Sequence, residues 1–207
     1  MDKEKNLMLK VLKDISQPTP QLPQKRKPST GVSTNWKKNP NYRPTKKHTS
    51  LPYVALDCEM VSTEKDPNTL AQVAIVDFDG HVLLNEYVKP DSEVKNYRSS
   101  ITGIRSKHLK NAKSFPQVQA LVKNIIEDKI VVGHSISHDL KALDLQLDQE
   151  KVRDTQKLFK AKTQVKAVSL QKLSFDVLGK VIQLGKHCPV EDARSTIEIF
   201  KALFLHK

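Results

Sequence analysis

The chain has 207 residues and a formal net charge of +12, unevenly spread: residues 1–50 carry 12 Lys/Arg against 3 Asp/Glu, and residues 51–207 carry 23 against 20. That length allows one domain plus an extension, two cysteines cannot close a four-ligand zinc site, and no apolar run approaches the ~18–20 residues that span a bilayer. With no secretory pattern in MDKEKNLMLKVLKD, Cys58 and Cys188 are expected as free thiols of a soluble, intracellular protein without a membrane partner.

Residues 1–50 hold 6 of the 11 prolines and few apolar side chains between Gln17 and Ser50, so a basic, disordered tail is expected there. Met8, Val11, Leu12 and Ile15 keep helical spacing, so 3–15 reads as a short amphipathic helix, either docking on a partner or without a role. Lys25-Arg26-Lys27, Lys37-Lys38 and Lys46-Lys47 have the form of nuclear import signals or nucleic-acid contacts, and Trp36 offers a ring for base stacking. A purely solubilising role for the charge is the alternative.

From Leu51 the texture changes. Tyr53–Val61 reads as a buried strand, and Leu70–Phe78 and His81–Val88 as two more, joined by a tight turn at Asp79-Gly80. Ser114–Glu127 has helical periodicity, Ile130–Gly133 is a short apolar strand, and His138–Leu147 reads as helix. A brief strand at Lys151–Asp154 precedes two closing helices, Ser169–Leu178 and Pro189–Leu205, the latter opened by a proline at its first position. Three antiparallel strands followed by alternating helix and strand predict a mixed-sheet α/β domain over 51–207.

Three segments of this domain place acids where a core would not. In Val54-Ala55-Leu56-Asp57-Cys58-Glu59-Met60 the period of two puts Asp57 and Glu59 on one face and Leu56, Cys58 and Met60 on the other. Paired carboxylates on a buried strand repel and lose hydration, which a divalent cation relieves; a strand with a solvent-facing side would carry them without one. Asp139 falls in the first turn of a helix opening near Ser137, a placement that suits the helix dipole with or without a catalytic role. Asp192 falls in the first turn after Pro189, and His187 in the preceding loop, where a near-neutral imidazole suits a general base or is simply exposed. His134 and His138 have the spacing of some zinc pairs, but the loop-to-helix junction breaks that geometry and no further ligands are apparent.

ALDCEMV, GHxxxHDL and HxxxxDA, in this order and spacing, resemble the three motifs of the DEDDh 3′→5′ exonuclease superfamily. DCEMV is similar to the RNA exonuclease 4 and interferon-induced exonuclease branch, as are LAQVAIVDFDGHVLLNEYVKP and YRSSITGIRSKHL; the likeness covers residues 51–205. It implies an RNase H-like fold and two divalent cations, Mg²⁺ or Mn²⁺. Asp57, Glu59 and Asp192 would hold one, Asp57 would bridge to the second with support from Asp139, and His187 would be the general base. Met60 and Arg98 would contact the terminal nucleotide. The resemblance further implies an exoribonuclease that releases 5′-mononucleotides from a free 3′ end; single-stranded RNA ends as partner and a monomeric chain are expected beside it. Ribosomal RNA processing in the nucleolus, with pre-ribosomal particles as partners, belongs to the same expectation. Ser62 replaces the branch's usual Gly after Met-Val, and Cys188-Pro189 its small polar residues, both near the substrate loops. A DNA exonuclease shares the acid motifs, and a non-catalytic RNA-binding protein would share the fold but not need the complete acid set.

The charge step at residue 50 yields a measurement. Each phosphate neutralised on a single strand adds about −0.7 to the slope of log K against log salt, so a tail engaging about four phosphates adds roughly −3. Deleting residues 1–50 should flatten the RNA-binding slope by that amount and leave turnover of bound RNA nearly unchanged. Identical slopes for the two forms would assign the lysines to import instead.

Overall fold

The computed structural model describes residues 52–164 and 167–205; the basic tail and the 3–15 stretch lie outside the described residues. Among the described residues seven strands form one sheet: β1 (Tyr53–Thr63), β2 (Thr69–Asp77), β3 (Val82–Lys89), β4 (Val94–Asn96), β5 (Lys113–Ser114), β6 (Ile130–Gly133) and β7 (Val152–Asp154). Their order is β5-β3-β2-β1-β6-β7, with β4 pairing β1 beyond this path. The β1–β2 and β2–β3 pairs are antiparallel, whereas β6 runs parallel to β1 and β7 parallel to β6. The mixed sheet expected from the sequence is present, and all five predicted strands fall within two residues of their expected bounds.

Helices cover both faces: α1 (Ser99–Thr102), α2 (Ser106–Leu109), α3 (Phe115–Ile126), α4 (Ser137–Ala142), α5 (Thr155–Thr163), α6 (Leu170–Leu178) and α7 (Pro189–Phe200). Alternation along β1 sends Val54, Leu56 and Cys58 into a core shared with Val118, Val122 and Ile126 of α3. Ala55 points the other way, against Ala193, Ile197 and Phe200 of α7. A further apolar cluster, including Phe159, Leu173 and Ile199, joins α5, α6 and α7. No helix among the described residues is long and apolar enough to cross a membrane.

Two expected helices are shorter than predicted. The segment expected to run to Leu147 ends at Ala142, because Asp144 turns left-handed at φ 49° and Leu145 N–H bonds back to the Leu140 carbonyl. Gln119 Nε2 satisfies the freed carbonyls of Leu143 and Asp144 at 2.8 and 3.2 Å, which makes that ending affordable in a part-buried position. The last helix is regular to Phe200 and widens into a π turn over Lys201–Leu205.

The register decides where chemistry can occur. β1 pairs with β6 only from Tyr53↔Ile130 to Ala55↔Val132, so β6 leaves β1 at Leu56, well before β1 meets β4 at Ser62↔Asn96. Such a place, at the carboxyl ends of parallel strands where the chain diverges, forms a crevice in open α/β sheets. Gly133 ends β6 there, and a Cβ on it would lie 2.5 Å from Cβ of Ile136. Gly133→Ala should therefore lower stability by about 1–3 kcal/mol in urea melts, the usual range for overpacking, and disturb the turn into α4. An unchanged midpoint would mean that this turn yields freely.

Candidate active site

Four of the five expected catalytic residues line the crevice, and the fifth lies against it. Asp57, Glu59, His187 and Asp192 line a cleft of about 330 Å³, together with Cys58, His134, Ser135, Gln156, Ser169, Leu170 and Gln183. Asp139 stands behind it, its Oδ1 accepting the Cys58 N–H at 2.9 Å. That N–H lies on the edge of β1 that β6 no longer reaches, so the α4 carboxylate takes the place of a missing strand.

Each acid is placed by a distinct local cause. Asp57 and Glu59 share a face by strand alternation, and the register between β1 and β2 shifts just after Glu59, between its pairing with Gln72 and that of Met60 with Leu70. Asp139 lies in the first turn of α4, whose entry passes through Ser135 at φ 59°. Asp154 Oδ1 holds that entry by accepting Ser135 N–H at 3.0 Å, while the same oxygen caps α5. Pro189 opens α7 and Asp192 sits in its first turn, its N–H bonding to the Cys188 carbonyl at 2.9 Å. His187 is anchored through its backbone N–H to the Ile101 carbonyl at 2.7 Å, and its side chain is 35% exposed.

Donor atoms of Glu59, His187 and Asp192 lie within 4.8 Å of one another. His187 Nδ1 stands 3.8 Å from Asp192 Oδ2, beyond hydrogen-bond length. Asp192 Oδ1 is buried with no hydrogen-bond partner among the described residues. Four carboxylates with a buried, unpaired oxygen among them suit a hard divalent cation, which takes oxygen donors. His134 is differently employed: Nδ1 meets Thr155 Oγ1 and Nε2 meets the Val168 carbonyl, both at 2.9 Å, which ties the loop to α5.

Met60 and Arg98 lie outside this lining. Met60 packs against the core on the α3 side of β1, and the Arg98 guanidinium donates to the Pro67 carbonyl at 2.7 Å and to Asn68 Oδ1 at 3.3 Å. Gln183, which donates to Asp192 Oδ2 at 2.9 Å, was not expected from the sequence, and no spacing signal marked it.

Comparison with known proteins places this arrangement. The family RNase_T, described as Exonuclease, matches residues 54–200. The chain belongs to this exonuclease family. Proteins named RNA exonuclease 4 from Candida glabrata and Saccharomyces cerevisiae are 43% and 41% identical over 72% of the chain, covering 59% and 53% of those proteins. The chain thus spans about half the length of the curated relatives it matches. Among solved structures, the Neurospora crassa Pan2 catalytic unit has a TM-score of 0.69 at 19% identity, covering 77% of this chain and 28% of that one. The Saccharomyces cerevisiae Pan2 pseudoubiquitin hydrolase-RNA exonuclease module in complex with A7 RNA has a TM-score of 0.66 at 24% identity, covering 73% and 28%. These likenesses bear on the fold, which is the RNase H-like one of such exonuclease domains.

Electrostatics in the exonuclease site follow from crowding out of water. Burial, with the Asp192 and Asp139 carboxylates beside it, pushes the Glu59 carboxyl from 4.5 up to about 7. Burial raises Asp139 to about 7 as well, against the opposing pull of the Cys58 N–H. Asp57 rises well above the ordinary range, by burial and then by Asp139, Asp192 and Glu59. Asp192 is also raised by burial, tempered by the Gln183 amide and His187. A carboxyl whose folded pKa is raised contributes stability below its unfolded pKa and loses it as pH climbs through the folded one. Relative to Glu59→Gln, the metal-free wild-type chain should therefore lose stability as pH rises from 4.5 through about 7. Divalent cation, which binds the ionised acids, should restore more at pH ~7.5 than at pH ~5. Thermal melts in chelator with and without Mg²⁺ check both; parallel melting curves for the two proteins across that window would contradict the assignment.

Proposed function

We propose that this domain is a 3′→5′ exoribonuclease that hydrolyses the terminal phosphodiester of RNA and releases 5′-mononucleotides. The observation that carries the reading is the set of four acids gathered where β1 outruns β6, with His187 at its mouth and Asp192 Oδ1 left unpaired. Membership of the exonuclease family and relatives named RNA exonuclease 4 support the reaction and the sugar. Pan2 modules of the same fold, described in complex with RNA, agree with it.

Asp57, Glu59, Asp139 and Asp192 would hold two Mg²⁺ or Mn²⁺ ions, which supply charge neutralisation at the phosphoryl group and lower the pKa of water. The chain's own residues do the rest. Asp139 is fixed by the Cys58 N–H, and Asp192 by the Gln183 amide, so neither needs to reorganise during the reaction. His187, with Nδ1 toward Asp192, leaves Nε2 to take the proton of the attacking water while the 3′ oxygen departs. Arg98, on releasing Pro67 and Asn68, and Met60 would contact the terminal nucleotide. We place the substrate among ribosomal RNA precursors and the protein in the nucleolus, a reading supported by the motif resemblance and by the basic clusters of residues 25–27 and 46–47.

The direct test incubates 5′-labelled RNA and DNA of equal sequence with Mg²⁺: a ladder shortening by single nucleotides, faster on RNA, is expected. Asp57→Asn should abolish it with no loss of apo stability, since it removes a ligand and one repelling charge together. His187→Ala should retain Mn²⁺ and RNA binding while losing about 10²–10⁴ in rate. A Mn²⁺ affinity lost with His187, at otherwise normal rate, would make it a ligand and not the base.

A further inference from the structure

Gln183 lies in the loop between α6 and α7 with a left-handed backbone at φ 57°. A non-glycine residue is rare in that region and is held there by its contacts. The side-chain Nε2 donates to Asp192 Oδ2 at 2.9 Å, and the backbone N–H reaches Glu191 Oε2 at 3.4 Å. One residue earlier, the Ile182 carbonyl accepts from Gln171 Nε2 at 2.9 Å, which ties the same loop to α6. The loop is thus pinned on two helices at the point where it meets the acids.

The two oxygens of Asp192 are unequal. Oδ2 receives the Gln183 amide and faces His187 Nδ1 at 3.8 Å, whereas Oδ1 is buried with no hydrogen-bond partner among the described residues. A neutral amide donor orients a carboxylate without cancelling its charge, which a lysine in its place would do. It also takes one of the two lone-pair sites of the oxygen nearest the imidazole, so that His187 must compete for that oxygen.

We propose that Gln183 is a positioning residue: its amide occupies Asp192 Oδ2, turns Oδ1 toward a bound cation, and keeps His187 from settling onto the same carboxylate. This rests on the reading of Asp192 as a metal ligand and His187 as the base. Partners that orient a ligand in this way typically change metal affinity or activity by about 10–100-fold when removed. His187 freed to pair with Asp192 is withdrawn from the attacking water, so part of the loss persists when the metal site is full.

The test uses Gln183→Met in the full chain, which keeps an unbranched side chain of similar length and removes the donor. Mn²⁺ binding followed by electron paramagnetic resonance should weaken about 10-fold or more. On a short RNA, kcat at saturating Mn²⁺ should stay about 10-fold low with KM for RNA unchanged. Wild-type Mn²⁺ affinity and kcat, or a loss confined to KM, would overturn the proposal. Should Gln183→Met fail to fold, Gln183→Asn keeps the amide but shortens its reach; wild-type Mn²⁺ affinity there would equally overturn it. Asp192→Asn separates the two layers of the argument. Mn²⁺ binding retained in that variant overturns the ligand assignment itself, whereas binding lost there but normal in Gln183→Met overturns the role of Gln183 alone.

Discussion

Asp57, Glu59, Asp139 and Asp192 meet where β1 outruns β6, and their mutual repulsion and lost hydration oppose folding at neutral pH. Much of the surrounding architecture can be understood as what makes that meeting tolerable. One apolar core is built on the other face of β1, through Val54, Leu56 and Cys58 against α3, away from the acids. Behind the acids, Ala55 packs on Ala193 and Ile197 of α7, which brings the helix bearing Asp192 down onto the strand bearing Asp57 and Glu59.

Compensation for the charge is local and partial. Asp139 and Asp192 each sit in the first turn of a helix, where unpaired N–H groups favour negative charge. Asp139 gains the Cys58 N–H, and Asp192 gains an amide from Gln183. Asp154 is an acid at the next strand end with a different fate: its Oδ1 accepts from Ser135 and caps α5, so it holds the approach to Asp139 in place. The same residue type serves as framework at β7 and as candidate ligand at α4, and the difference is the number of N–H groups aimed at it.

The acids on β1 were legible because a period-two pattern interrupted by charges has few physical explanations, and the spacing of His187 and Asp192 around a helix-starting proline fixed which belonged to loop and which to helix. The strands were legible for the same reason of periodicity. α5 was not: Thr155–Thr163 buries little beyond Thr155, Phe159 and Thr163, so its apolar stripe is too thin to read, and its clearest signal was the capping Asp154. α1 and α2, of four residues each, have no period to detect, and β4 and β5, of three and two, exist through pairing with β1 and β3. Gln183 escaped for another reason. Its role depends on a loop closing back on α7, and an uncharged side chain in a loop carries no mark of the partner it will meet.

Rigidity and freedom are divided within a short span of chain. Asp192 is 2% exposed, on a helix that packs on the sheet, and Gln183 fixes one of its oxygens; such a carboxylate offers a cation one oxygen in a set direction. Small divalent ions with strict geometric demands reward that arrangement. His187, five residues earlier, is tied by its backbone N–H to Ile101 while its ring stands part-exposed and 3.8 Å from its nearest carboxylate. A proton acceptor must reach water before the reaction and hold the proton after it, which a ring locked in an ion pair does poorly. The proline at the start of α7 is what separates the two regimes: it fixes the backbone where the helix begins, so the acid inherits the stiffness of the helix and the histidine keeps the latitude of the loop.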